Sequence, residues 1–177
     1  GLGGMNVTHD LAIGLRAPTE AAEELKVRHG SAIARNVDPA ERVDVPGVGG
    51  REPRPVERHI VASMIEPRME EIFSLVYREV KKNIYSDLLA GGVILTGGGA
   101  CLEGVDALAE RVFELPVRRG SPRSVNGIRE AAEVPRFATA VGLALKARER
   151  TSDERLPESA ILTRISAPVR RWLGEFF

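Results

Sequence analysis

The sequence predicts an α/β fold, and three observations carry that prediction. Val93, Ile94 and Leu95 form a short apolar run that reads as a buried strand. Gly97, Gly98 and Gly99 follow at once. Leu102, Val105, Leu108, Ala109, Val112 and Phe113 then fall on one face of a helix. Strand, triple glycine and helix make the layout of a phosphate- or nucleotide-facing turn. Glycine lets backbone approach a ligand with no Cβ in the way, and a helix N-terminus offers unpaired N–H groups and partial positive charge. A tight strand-to-helix turn with no ligand has the same residues. The stretch is not a P-loop, because no Gly-Lys-Ser/Thr follows, and it lacks the GxGxxG spacing of a dinucleotide fingerprint.

The 177 residues suit one domain, or two small lobes, plus a tail. Hydrophobic content of 43% is sufficient for a core. The 25 basic and 25 acidic residues cancel, which argues against a nucleic-acid binder. A single cysteine excludes an internal disulfide framework and suits a reducing compartment. No apolar run nears the roughly 18 residues of a spanning helix. The first residues lack a signal-peptide layout and read as mid-domain sequence, so a fragment is expected.

In chain order, Gly3-Gly4 precede a helix expected over about His9 to Arg16, with Thr8 as N-cap and Leu11, Ile13 and Leu15 apolar. The two glycines could accept an anion or form a plain turn. Pro18 opens a second helix, about Thr19 to His29, which Gly30 caps. Glu23 and Lys26 share a face of it, either as an exposed ion pair or as a grip on a ribose. Ala32 to Val37 and Arg42 to Val45 read as two short strands. An exposed Pro/Gly loop follows, with Arg51, Arg54, Arg58 and later Arg68 making the region basic; this is a solvated surface or a protein-docking face. His59 to Met64 reads as a short helix, and Pro67 as the start of the next. That helix carries Met69, Ile72, Phe73, Val76, Val80 and Ile84 against a sheet. Cys101 reads as a small buried thiol. His9, His29 and His59 have no metal or triad spacing. Leu115 to Arg118 is an edge strand, and Phe137 to Ala147 a last domain helix whose small residues and Gly142 point to close packing.

Arg148 to Glu158 is polar and reads as a flexible linker. Beyond it, Ile161, Leu162, Ile165, Val169, Trp172, Leu173 and Phe176 form one helical face, with Arg164, Arg170 and Arg171 opposite and Phe177 last. An apolar stripe with a basic flank and terminal aromatics describes a helix lying in a membrane interface. Pro168 leaves Val169 to Phe177 the securest part. The competing reading is a helix docked on its own domain.

Several blocks, in order, carry a family resemblance: GGMNVTHDLAIGLRAP, AAEELKVRHGSA, VPGVGGREPRPVERHIVASMIEPRMEEIF, GGVILTGGGACLEGVDALAERVF and FATAVGLALK. Together they resemble the C-terminal half of FtsA, the bacterial cell-division family of the actin-like ATPase superfamily. The resemblance runs to about residue 148, and a similar tail recurs in the family. It implies the ribonuclease H-like actin fold, here subdomain 2A (1–11 and 63–147) and subdomain 2B (12–62), then a linker (148–160) and a membrane-targeting helix (161–177). It implies ATP, with magnesium, as cofactor in the full-length protein. Gly97, Gly98, Gly99 and Ala100 would form the adenosine turn, Glu23 and Lys26 would reach the nucleoside, and Gly3 and Gly4 would lie beside the phosphates. Ala138 to Gly142 resembles the second connect motif. Subdomain 2B would dock the tubulin-like FtsZ, with Arg54, Arg68 and Glu71 as candidates at or near that face. The membrane contacts would be Ile165, Val169, Arg170, Arg171, Trp172, Leu173, Phe176 and Phe177, on an anionic surface.

The implied protein polymerises and tethers FtsZ filaments to the cytoplasmic face of the inner membrane at the septum, as a peripheral protein with no nucleic-acid partner. Met5 departs from the Asp or Asn that many relatives carry after Gly-Gly. No Asp-x-Gly-x-x-Thr phosphate loop is present, so this length of chain is not expected to close around ATP, and the full-length protein is at most a weak ATPase. The alternatives are a sugar-kinase-like or chaperone-like ATPase, or a pilus-assembly relative, of the same superfamily.

Overall fold

The computed structural model describes residues 1–82, 91–122 and 134–153, with side chains to residue 149. The chain forms two compact units, Gly1–Ala138 and Thr139–Phe177. In the first, α1 (Gly4–Leu15) and α2 (Thr19–His29) lead into a hairpin of β1 (Arg42–Val45) and β2 (Arg54–Glu57). The long α3 (Arg58–Lys81) follows, then β3 (Val93–Leu95), α4 (Val105–Phe113) and β4 (Val117–Arg119). A last helix, α5 (Ala138–Asp153), lies almost entirely in the second unit. β1 and β2 are antiparallel, Val43 opposite Val56; β3 and β4 are parallel, Val93 opposite Val117.

The core is a layer of helices. Val7, Leu11 and Leu15 are spaced by four along α1 and are buried. Val61, Ile65, Met69 and Phe73 make the same stripe along α3, and Val105, Leu108 and Phe113 close it from α4. Tyr77 meets Phe113 edge-on, with ring centroids 5.8 Å apart. Val43, Val45 and Val56 roof the other end from the hairpin. Glu66 on α3 is a polar tie within this packing. One carboxylate oxygen accepts the Ala34 N–H at 2.8 Å, and the other meets the Arg111 guanidinium of α4 at 2.8 Å.

Several expectations are corrected. Pro67 does not begin a helix; α3 runs unbroken through it. A proline there loses one backbone hydrogen bond, but the apolar stripe extends two turns on either side and holds the helix together. Among the described residues the stripe packs chiefly on α1 and α4, with Val93, Leu95 and Val117 of the strands against the same core, and Val76 is exposed. Thr8 is not an N-cap: α1 starts at Gly4, and Thr8 is fully buried. Ile13 points to solvent. Ala32 to Val37 is not a strand, because Ala34–Asn36 form a 3-10 turn; Ser31 alone bridges to Glu103. Residues Arg54–Glu57, expected as loop, pair with β1 instead. Gly30 ends α2 without a left-handed turn (φ −69°); a Cβ there would lie 2.4 Å from the Lys26 carbonyl oxygen, so close approach demands the glycine. β3 is half-exposed, Ile94 most of all, because among the described residues its one strand neighbour is β4. Gly142 is exposed, and among the described residues nothing lies within 4 Å of its Cβ position, so no close packing is seen there. α5 continues to Asp153, into the segment read as linker.

Glu66→Ala leaves the Ala34 N–H without its acceptor and leaves the half-exposed Arg111 with Glu70 alone, at 3.5 Å. It is expected to cost about 1–2 kcal/mol, read as a lower urea midpoint at unchanged slope. An unmoved midpoint would remove Glu66 as a tie.

Candidate functional site

α1 and α2 lie side by side, and their polar contact forms one wall of a cleft of about 670 Å³. Gly4, Met5, Val7, Glu23, Lys26 and Val27 line it from these helices, Met69 from α3, and Gly98, Gly99, Cys101 and Leu102 from the turn after β3. Val134 and Arg136 close the rim. A smaller adjoining hollow of about 220 Å³ is lined by Gly3, Gly4, Thr96, Gly99 and Ala100 among others. The structure therefore gathers at one place Gly3, Gly4, Glu23, Lys26, Gly98, Gly99 and Ala100, which are far apart in sequence. Gly97 stands behind the wall. At φ 88° it makes the left-handed corner, and its N–H donates to the Pro135 carbonyl at 3.0 Å. Gly98–Cys101 form a 3-10 turn, so the glycines do not open α4 directly; Gly104 does.

The polar centre is a three-residue cluster. Lys26 Nζ donates to Glu23 Oε2 at 2.5 Å, to Thr8 Oγ1 at 2.9 Å and to the Gly4 carbonyl at 3.1 Å. The Thr8 hydroxyl is also in hydrogen-bonding contact with Glu23. Burial pushes the Glu23 carboxyl up, but the hydrogen bonds from Lys26 and Thr8 and the Lys26 charge outweigh it, leaving Glu23 below the usual carboxylate value. At the start of α1, the Asn6 side-chain oxygen accepts the Gly3 N–H at 2.9 Å.

Sequence reasoning missed Thr8, Val27, Met69, Cys101, Leu102, Val134 and Arg136 as lining or second-rank residues. Met5 and Val27 carried one usable signal, since each is a large apolar side chain on the exposed side of its helix. Cys101 is exposed, not buried, because the 3-10 turn points its thiol away from the core. The docking candidates sit elsewhere. Arg54 donates to the Leu15 carbonyl at 2.9 Å and lines a groove of about 310 Å³ with Arg42, Pro55, Ile60 and Met64. Arg68 forks onto the Asp10 carboxylate, at 2.5 and 3.0 Å, and also meets Glu71. The membrane candidates Ile165, Val169, Arg170, Arg171, Trp172, Leu173, Phe176 and Phe177 lie outside the described residues.

Because folding lowers the Glu23 pKa, the unfolded chain takes up that proton first, and stability from this carboxylate rises with pH. The contribution is expected to be complete above about pH 5 and to fade below about pH 4. The stability gap between wild type and Glu23→Gln should therefore close on acidification through that window; a gap constant with pH would exclude the charge as its source.

The family model described as Cell division protein FtsA matches residues 1–142. The FtsA cell division protein of Pseudomonas aeruginosa is 41% identical over 152 residues, covering 86% of this chain and 36% of that protein. That of Escherichia coli K12 is 38% identical over 174 residues, covering 94% and 41%. That of Neisseria meningitidis is 35% identical over 182 residues, covering 99% and 44%. The chain thus spans less than half the length of these curated relatives. Among solved structures, MreB5 of Spiroplasma citri bound to ADP superposes with a TM-score of 0.64 at 15% identity, covering 86% of this chain and 47% of that one. The AMPPNP-bound form gives 0.62 at 16%, covering 88% and 47%. The fold is actin-like, and the match over residues 1–142 settles the lineage: the chain belongs to the FtsA family of cell division proteins.

Proposed function

We propose that this chain supplies one wall of the ATP site of a cell-division protein that polymerises and links FtsZ filaments to the cytoplasmic membrane at the septum. The observation that carries the nucleotide part is the cleft itself. Side-chain-free backbone at Gly98 and Gly99 faces the Glu23–Lys26–Thr8 cluster across a space of about 670 Å³, bordered by Met5, Val27 and Leu102. Apolar walls suit a base and carboxylate acceptors suit ribose hydroxyls, as in ligand sites generally. N–H groups at the α1 start lie beside Gly3 and Gly4, where phosphate charge would be favoured. Magnesium would arrive on those phosphates. The nucleotides named for the two MreB5 structures support the same reading.

The docking part rests on the groove beside Arg54. It combines two guanidiniums, one of them 3.9 Å from the Glu57 carboxylate, with Pro55, Ile60 and Met64, a surface suited to a peptide with an acidic group and apolar anchors. That is the chemistry we assign to the FtsZ contact of subdomain 2B, residues 12–62. Arg68 is satisfied by Asp10 and Glu71 together, which suits a supporting role near that face. The membrane part rests on residues 161–177 and their stripe of apolar and basic residues. Among the described residues no helix is long and apolar enough to cross a membrane.

Two measurements on the full-length protein test this. Among the described residues no atom lies within 4 Å of a Cβ built at Gly98. Gly98→Val should therefore leave the melting temperature nearly unchanged while reducing ATP affinity at least tenfold, roughly the cost of filling a pocket meant for a ligand. Full ATP affinity would refute the site. Trp172→Glu should release the protein from anionic vesicles while ATP binding persists; unchanged co-sedimentation would refute the tail's role.

A further inference from the structure

Among the described residues two polar side chains are buried, Thr8 and Ser31. Ser31 is satisfied within its own turn, by the N–H and the carbonyl of Ile33. Thr8 reaches further. A threonine inside a helix ordinarily returns its hydroxyl to the carbonyl four residues back, and Gly4 offers that carbonyl at 3.1 Å. Lys26 Nζ already donates to the same carbonyl, at 3.1 Å, and to Thr8 Oγ1 at 2.9 Å. The hydroxyl has one proton to give. Its other acceptor is the Glu23 carboxylate, which draws that proton more strongly than a carbonyl shared with an ammonium.

Glu23 is thereby divided into two unlike oxygens. Its Oε2 accepts from Lys26 and from Thr8. Its Oε1 has no hydrogen-bond partner among the described residues and is not sealed from solvent. Glu23 lines the cleft, whereas Thr8 stands behind it. We infer that Thr8 is a positioning residue for the ligand: it holds Glu23 with one oxygen turned inward, so that the other stands ready for a ribose hydroxyl. This rests on the nucleotide reading above. Lys26 comes from the same helix as Glu23, three residues on. That contact alone leaves the carboxylate free to turn and exchange its oxygens. A second contact from α1 stops the rotation. A group ordered in advance spares the ligand that cost on binding.

The test uses the full-length protein with ATP and with dideoxy-ATP, which lacks both ribose hydroxyls. The wild type should prefer ATP by about tenfold, the weight of one hydrogen bond to a charged acceptor. Thr8→Val keeps the shape of the side chain and removes the hydroxyl. It should lose most of that preference while its affinity for dideoxy-ATP stays as in the wild type, and Thr8→Ser should restore the preference. If Thr8→Val does not fold, Thr8→Cys gives the same reading, because a thiol is a weak donor. A preference intact in the variant without the hydroxyl would overturn the inference. So would equal weakening of both nucleotides, which marks a structural role alone, or no recovery in Thr8→Ser. A wild type that binds both nucleotides alike would overturn the inference and the ribose role of Glu23. A wild type that binds neither would overturn the nucleotide reading beneath it as well.

Discussion

One ammonium group fixes how the first two helices meet. Lys26 reaches from α2 across to α1 and takes the Gly4 carbonyl and the Thr8 hydroxyl together with its own helix neighbour Glu23. Thr8 is fully buried, so without Lys26 its hydroxyl would have to rely on Gly4 and Glu23. A charged group left without partners at this depth costs more than the hydrogen bonds themselves contribute. The contact therefore constrains geometry more than it adds stability. It sets where α1 begins, and with it the position of the glycine pair at the cleft edge. The rest of the wall is built outward from that fixed point.

The same kind of clamp recurs where loops must be held to the helical layer. Arg58 donates to the His29 carbonyl at 2.8 Å and to Glu41 at 2.9 Å, and it also pairs with Glu103. One guanidinium thus gathers the end of α2, the approach to the hairpin and the residue just before Gly104. Burial pushes the Arg58 pKa down, but the two carboxylates outweigh that and hold it above its usual value. Arg68 does similar work between α1 and α3 through Asp10. Exposed ion pairs of this kind contribute little stability singly. Planar, bidentate pairs do specify register, and register is what a site assembled from α1, α2, α3 and the β3 turn requires.

How much of this the sequence revealed depends on which force decided each element. α4 and the α3 stripe were legible because periodic burial decided them, and periodic burial is written in the residue order; α2 was legible from Pro18 before it and Gly30 after it. Arg42–Val45 was legible as a strand, but its partner Arg54–Glu57 was hidden behind two prolines that read as loop. An edge strand tolerates proline on its outward side, and only the pairing itself discloses it. Pro67 misled for the opposite reason. A local rule predicted a helix start, and long-range packing of Ile65, Met69 and Phe73 overrode it. Of the site, the glycines and the Glu23–Lys26 pair were visible by type and spacing. Thr8, Cys101 and Arg136 were not, because their roles come from neighbours 18, 4 and more residues away that meet them only in the folded chain.

The glycines separate what the fold needs from what the cleft needs. At Gly92, φ is 72° and a Cβ would lie 2.2 Å from the Pro116 carbonyl oxygen. No other residue can stand there while β3 and β4 pair. Gly98 and Gly99 are different. Neither has a positive φ, and among the described residues a Cβ on either would meet nothing within 4 Å. Packing does not ask for glycine at these two positions, and each exposes backbone at an entropic cost that alanine would spare. On the nucleotide reading proposed above, the lack of a side chain is accounted for by the space in front of it. That space is the cleft lined by Glu23, Lys26 and Arg136. An opening kept clear by residues the fold does not require is the physical argument for an occupant.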